Sequence, residues 1–478
     1  MKIILYSKYR NLSLTAKAAL WFVVCSLLQK AAAFITVPVF TRLMSTEQYG
    51  IYSIYLAWTN IMAVVLTLNM ENGAFINEYA KTDDIKQKTE APLTIISLAL
   101  LLTLVATVVY FCFHDNIASY IGLSHLLVVL MLVEIMFSPA YKVWMVTQRF
   151  LYKYKRLVGV TLSLTFIQVV GGIILVYCSD NNHQAIGRVM ATVIPHVIVG
   201  LILIYYFAKK AHKFFSIMHW RNILKLQLPL VAYNLSMVAL LSSDKIMINI
   251  LVGVSAAGIY SIAYSIGQIL TILKSSVIDA YHPWIYEKLK NKEYLSIGSI
   301  VRPLIFFFGM IAVLVSLLAK EVVAILAPSS YYDAVPIIPA IASSALFTLL
   351  NQIFVIIDTY YEKTRYTMYA SIFASLLNIL LNYLTIPIWG YKIAGATTLV
   401  SYMALAYANY FYVRRIVNVK DSFSKIDIFI LPIILAAFIS SISFLYDYTI
   451  LMHILLLVFL LFAFVNRRKL RLAIRRKL

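Results

Sequence analysis

Fourteen apolar segments follow one another along the chain, at approximately 18–40, 50–70, 91–113, 125–147, 157–178, 186–208, 226–252, 257–280, 299–319, 334–357, 367–388, 394–413, 428–446 and 450–466. A helix needs about 20 apolar residues to cross the hydrocarbon core of a bilayer. The pattern therefore confines the chain to an all-α membrane protein of about 14 transmembrane helices. With 62% of 478 residues hydrophobic and 13% charged, no polar tract could hold a separate soluble domain. No loop exceeds about 20 residues, which excludes a sizeable catalytic domain outside the membrane. Cys25, Cys112 and Cys178 lie in or at the ends of apolar runs, at spacings that fit neither a metal site nor a disulfide framework.

A formal charge of +21 would suggest nucleic acid in a soluble protein, but the placement of the charges decides otherwise. Basic residues cluster in the N-terminal tail (1–17), 81–90, 149–156, 209–225, 281–298, 358–366, 414–427 and the tail from Arg467. Those stretches hold 32 of the 41 Lys and Arg residues, whereas the alternate loops carry only Arg42, Lys320 and Lys392. The positive-inside rule then puts both termini in the cytoplasm and makes the span count even. Ala31-Ala32-Ala33 could pass for a signal-peptide cleavage site, but Phe34 to Phe40 continue the apolar run. A retained first helix is expected.

Gly50-Ile51-Tyr52-Ser53-Ile54 recurs as Gly258-Ile259-Tyr260-Ser261-Ile262, displaced by 208 residues. The same displacement relates Gly187 to Gly395 and Glu71 to Asp279. Six spans separate equivalents, so the copies share one orientation and form a parallel repeat about an axis along the membrane normal. The expected layout is a cytoplasmic tail (1–17), a first six-helix lobe (18–208), a cytoplasmic linker (209–225), a second six-helix lobe (226–413), two appended helices (428–466) and a basic tail (467–478). Lobed arrangements of this kind belong to secondary transporters, whose substrate lies between the lobes. No ATP-binding G-x-x-x-x-G-K-[ST] motif occurs, so energy comes from a gradient or the membrane potential.

Three stretches carry a family resemblance. Pro38 to Ser53 (PVFTRLMSTEQYGIYS) resembles the first loop of polysaccharide transporters of the MATE-like MOP flippase superfamily. Ser243 to Ile248 (SDKIMI), followed by Ala257 to Ser261 (AGIYS), resembles the seventh-to-eighth helix passage of that family. Leu377 to Pro387 (LNILLNYLTIP), with Gly390 and Gly395 to Thr398 (GATT), resembles its eleventh-to-twelfth helix passage and is the most specific of the three. The similarity covers essentially the whole chain. Within the superfamily the chain resembles the Wzx-type O-antigen or capsule repeat-unit flippases. The resemblance implies transfer of a polyprenyl-pyrophosphate-linked oligosaccharide from the cytoplasmic to the periplasmic leaflet of the cell inner membrane. It implies no cofactor beyond an H+ or Na+ gradient, and as partners the lipid-linked oligosaccharide, membrane lipids and polysaccharide polymerase machinery.

A charge at the bilayer centre costs about 2.5–3.5 kcal/mol on insertion scales, so each needs a partner or a water-filled cavity. Lys30, at the middle of the first span, is read as a cavity cation attracting pyrophosphate or an acidic sugar; the alternative is an ion pair with Glu134 in the fourth span. Asn234, Lys245 and Asn249 share one face of the seventh span, making Lys245 a second substrate cation, while Asp244 points elsewhere and could pair or titrate. Family-wide helix packing is the alternative for Asp244 and Lys245. The eighth span carries a stripe of Tyr260, Tyr264, Gln268, Thr271, Ser275 and Asp279, which suits a sugar-lined cavity or interhelical hydrogen bonds.

Glu71 and Asp279, related by the repeat, are candidate gating acids or solvated interface acids. Arg302 is placed to capture pyrophosphate bidentately. Lys142, Lys274 and Arg188 are read as snorkelling to the interface. Glu134 and Asp358 are candidates for ion coupling, and none of the eight histidines is assigned a role. The six basic against four acidic in-span residues favour an anionic substrate. A multidrug exporter of the same superfamily is the competing transporter, and would prefer an acidic, Met- and aromatic-lined cavity. A membrane polymerase or ligase would need a catalytic constellation that the short outer loops lack.

Overall fold

The computed structural model describes residues 13–81, 85–211, 217–416 and 423–465, and every regular element among them is helical. Most of the basic tails expected at 1–17 and 467–478 therefore lies outside the described residues. The chain divides into two compact units, Met1–Leu235 and Ser236–Leu478. The first contains α1 (Leu14–Leu43), α2 (Thr46–Thr67), α3 (Ile85–Cys112), α4 (His125–Phe150), α5 (Tyr154–Cys178) and α6 (Gln184–Lys210). Next comes α7 (Ile217–Leu251), within which the division falls. The second unit continues with α8 (Val254–Lys290), α9 (Tyr294–Leu317), α10 (Ile338–Tyr360), α11 (Thr364–Trp389) and α12 (Ala394–Ile416). It ends with α13 (Ile426–Leu445) and α14 (Thr449–Val465).

Twelve helices among the described residues are long and apolar enough to cross a membrane. Two of the fourteen expected spans fall outside that set. Helix α12 has the length, 23 residues, but spends much of its surface on Thr397, Thr398, Ser401 and Asn409, all of them buried. Helix α14 is 17 residues long, and its apolar stretch is Ile450–Leu461. The expected linker at 209–225 differs too: from Ile217 onward it is the opening of α7. Packing explains the early start. Trp220 donates its indole N–H to the Thr94 carbonyl at 3.0 Å, and Ile223 joins the apolar core around Phe75, Ile96 and Trp144.

One closing turn recurs at the ends of α4 and α10, and also at the end of α8 through Asn291-Lys292-Glu293. Helix α4 ends on Leu151-Tyr152-Lys153 and α10 ends on Tyr361-Glu362-Lys363, with the same set of hydrogen bonds. The Lys153 N–H reaches back to the Gln148 carbonyl at 3.0 Å, and the Lys363 N–H reaches the Asp358 carbonyl at 2.9 Å. In both, the middle residue is left-handed, Tyr152 at φ 52° and Glu362 at φ 57°. This is the Schellman closure, which satisfies carbonyls that a helix end would otherwise leave bare. Within each unit the pairings correspond as well: α3 packs on α4, α4 on α6 and α5 on α6, just as α9 packs on α10, α10 on α12 and α11 on α12. Helix α10 is the hub of its unit, with 78% of its apolar window buried, whereas α1 has only 11% buried.

The repeat-related glycines Gly187 and Gly395 each let another chain segment come close. A Cβ on Gly187 would stand 2.8 Å from the Leu175 carbonyl oxygen, and one on Gly395 3.1 Å from that of Ile337. The neighbours differ, since Leu175 belongs to α5 and Ile337 precedes α10.

A left-handed residue with a Cβ costs about 1–2 kcal/mol, and glycine removes most of that cost. Glu362→Gly, at an exposed turn, is therefore expected to raise stability by about 1 kcal/mol, read as an increase in thermal midpoint in detergent. Tyr152→Gly should act in the same direction.

Candidate functional site

Ser243, Asp244 and Lys245 are consecutive on α7, and helical steps of about 100° send them to different neighbours. Ser243 Oγ donates to Asn378 Oδ1 on α11 at 2.7 Å. Asp244 is wholly buried, and three neutral donors from three helices reach its carboxylate. Asn382 Nδ2 (α11) donates to Oδ1 at 2.6 Å. The Tyr260 hydroxyl (α8) and the Thr398 hydroxyl (α12) reach Oδ2 at 2.7 and 2.6 Å.

Hydrogens are unevenly used at this cluster: Asn378 Nδ2 is a buried donor without a partner, while two threonine hydroxyls each face two acceptors. The Thr398 hydroxyl has one hydrogen but faces two acceptors, Asp244 Oδ2 and the Ala394 carbonyl at 2.8 Å. Thr397 shares its single hydrogen between Asn382 Oδ1 and that same carbonyl. The donors that reach Asp244 are all neutral, so an extra proton on the carboxylate, or a small cation beside it, would balance its charge. Among the described residues no group of three or more His, Cys, Asp or Glu is placed to hold a metal ion, so a transition-metal site is not offered.

Lys245 turns the other way. Its Nζ lies 5.0 Å from the Tyr264 ring centre, and Tyr264 stacks on Tyr260 with centroids 6.3 Å apart. The two tyrosines thus link the cation to the partner of Asp244. Gln268 stands one turn further, within reach of the Tyr264 hydroxyl. Along α8 the predicted polar stripe grades from buried Tyr260, through half-buried Tyr264, Gln268 and Ser275, to exposed Thr271 and Asp279. Asn234 and Asn249 are half-buried on α7.

In the first unit, Glu134 on α4 is held by residues other than Lys30. It accepts the Tyr55 hydroxyl of α2 at 2.7 Å, and its other oxygen lies 3.4 Å from His196 Nδ1 on α6. That second contact has ion-pair distance without hydrogen-bond alignment. His196 Nε2 meets Gln168 Nε2 at 3.2 Å, and Arg188 donates to the Gln168 carbonyl at 3.2 Å while lying 4.1 Å from the Phe40 ring. Arg188 is therefore drawn into the unit by its aromatic neighbours rather than snorkelling. Lys30 is exposed. It stands roughly a third of a turn from the stripe of Ala18, Cys25 and Thr36 that α1 buries, and forms no ion pair among the described residues.

At the helix ends, Glu71 is 2% exposed and pairs with Lys142 at 2.9 Å, so Lys142 satisfies a buried acid instead of reaching for the interface. Its repeat equivalent Asp279 is exposed and unpaired among the described residues. Arg302 on α9 donates its Nε to Asp427 at 2.6 Å, from a side chain that is 54% exposed. Asp358 is buried and accepts the Thr367 hydroxyl at 2.8 Å. Lys274 is buried on α8 and does not snorkel.

The residues missed by sequence reasoning are Asn378, Asn382, Thr397, Thr398 and His196. The first four stood in the quoted α11–α12 motif and were available as a signal. His196 had none, because a single histidine in an apolar run shows its carboxylate partner only once α4 and α6 pack.

Comparison with known proteins fits this geometry. The model of the polysaccharide biosynthesis protein family matches residues 15–289. The chain belongs to that family. No curated protein matches its sequence. Among solved structures, the chain is similar to the lipid II flippase MurJ in an inward closed conformation, with a TM-score of 0.67 at 14% identity, over 94% of this chain and 99% of MurJ. It is also similar to an inward-facing multidrug resistance MATE transporter of the MOP superfamily, with a TM-score of 0.62 at 14% identity, over 82% and 94%. A MOP superfamily transporter from Pyrococcus furiosus gives 0.52 at 13% identity, over 85% and 95%. At these identities the likeness establishes the fold, which is the expected one: a multi-pass helical membrane protein with the architecture of those structures.

Hydrogen bonds to a charged group contribute about 1.5–3 kcal/mol each. Tyr260→Phe and Thr398→Val should each lower stability by about that much. Because both serve Asp244 Oδ2, the double variant should lose less than the sum, by at least about 0.5 kcal/mol. Thermal unfolding in detergent measures the cycle, and strictly additive losses would show that the two donors act separately.

Proposed function

We propose that the protein is a flippase that moves a polyprenyl-pyrophosphate-linked oligosaccharide repeat unit, an O-antigen or capsule unit, from the cytoplasmic to the periplasmic leaflet of the inner membrane by alternating access. The supporting observation is that a polysaccharide biosynthesis family chain carries the architecture shared by a lipid II flippase and MATE transporters. Exposed Lys30, half-buried Lys245 and exposed Arg302 are the proposed anion contacts, with Asn234, Asn249, Tyr264 and Gln268 for sugar hydroxyls. The parallel repeat, with its corresponding helix pairings in the two units, supports two lobes that move as units.

Energy enters through Asp244 in this reading. A fully buried carboxylate met only by neutral donors favours one bound H+ or Na+, and its occupancy would alter the helix contacts made by α8, α11 and α12. Glu134 is the second coupling candidate, and Glu71 and Asp279 are the proposed gating acids. The positive-inside distribution supports cytoplasmic termini.

Lys30→Ala should abolish surface polysaccharide while leaving membrane abundance normal, and Lys30→Arg should keep part of it; polysaccharide staining beside immunoblotting measures both. Deletion of the whole chain should remove the polymer and leave drug sensitivity unchanged. Retained polymer together with heightened drug sensitivity would instead identify a multidrug exporter.

A further inference from the structure

A cavity of about 570 Å³ opens within the first unit, between the end of α4, the start of α5 and the end of α6. Its mouth carries Lys153, Lys155 and Arg156, all exposed, at the basic end of the spans. Tyr206 stands on the same rim and holds Lys210 with Nζ 4.2 Å from its ring centre, which adds a fourth cation. No acidic residue lines the cavity. Four positive charges around a concave opening, without a counter-charge, call for an anion.

Two further features lie inside. Gln148 lines the cavity at 4% exposure, and its Oε1 has no hydrogen-bond partner. A buried acceptor without a donor is uncommon and destabilising until one arrives. Gly159 opens on empty space: a Cβ there would meet nothing within 4 Å. Beside it Val160 and Ile167 form an exposed apolar edge along α5. The order is therefore cations at the mouth, an acceptor within and an apolar trough leading along the spans. The lining follows α5 from Lys155 to Ile167, about half of that helix, beside the last turns of α4 and α6. A cavity that stops partway along the spans is no route across the bilayer, so its occupant is resident rather than transported.

We propose that this cavity binds an anionic membrane phospholipid whose headgroup carries a hydroxyl, as in phosphatidylglycerol. The phosphate sits among Lys153, Lys155 and Arg156, where Arg offers two parallel donors. The headgroup hydroxyl donates to Gln148 Oε1, and an acyl chain follows Val160 and Ile167. Basic pockets between helices on the cytoplasmic side are suited to anionic headgroups. The cationic mouth disfavours choline.

Native mass spectrometry of the purified full chain tests this without any transport readout. Titrated with phosphatidylglycerol, the wild-type chain should retain one lipid with at least about tenfold preference over phosphatidylcholine. Replacing Lys153, Lys155 and Arg156 by Gln should weaken retention about tenfold or more. Gly159→Leu should do the same with every charge intact, because its side chain fills the open space; both variants should keep the wild-type thermal midpoint. Wild-type retention by both variants would overturn the proposal. Competition by glycerol 1-phosphate at equal concentration would overturn it in favour of a soluble phosphate ester. Displacement by a polyprenyl phosphate at equal mole fraction would overturn it in favour of the transported lipid.

Discussion

Asp244 imposes the strictest condition on the second unit. A carboxylate with no access to water, inside a helix that spans hydrocarbon, persists only if neighbouring helices satisfy it. Tyr260, Asn382 and Thr398 do so from α8, α11 and α12. That requirement fixes the rotation of three helices about their axes at once. It also explains why α12, less apolar than a free span, is stable: its hydroxyls and Asn409 face protein rather than lipid. The first unit has no such centre. Its Glu134 is shared between a tyrosine and a histidine, and its Glu71 is neutralised by Lys142. The repeat thus preserves the frame, while the polar chemistry of the two units has diverged.

The fold was legible because the bilayer enforces it. Segment length determined the helices, and a 208-residue offset pointed to two copies. Helix ends were less legible where tertiary packing extends them, as Trp220 and Ile223 extend α7 backwards from the expected start at 226. The site was legible only in part. Asp244 and Lys245 were recognisable as adjacent charges on diverging faces, and Tyr260 as part of a stripe. The partners of Asp244 were not, since Asn378, Asn382 and Thr398 lie more than a hundred residues away and read locally as ordinary polar positions in a family motif. Lys142 and Arg188 were misread as snorkelling for the same reason: their partners, Glu71 and the Phe40 ring, come from other helices.

Charge placement divides the labour between the two chemistries argued for here. Cations with partners, Lys142 and Arg188, stabilise the units. Lys30 and Lys245 lack an ion-pair partner among the described residues and are the contacts proposed for an anionic substrate, as those at the mouth of the α4–α6 cavity are for a resident lipid. A bound cation or proton at Asp244 would join the substrate cycle to a gradient, because the same carboxylate that holds it also holds three helices in register.

The most direct measurement is leaflet transfer in proteoliposomes loaded with a fluorescent polyprenyl-pyrophosphate oligosaccharide. An imposed H+ or Na+ gradient should accelerate transfer by the wild-type chain, and Asp244→Asn should remove that acceleration while the substrate still binds. Transfer that proceeds at the same rate with and without either gradient, and that Asp244→Asn leaves untouched, would contradict the account.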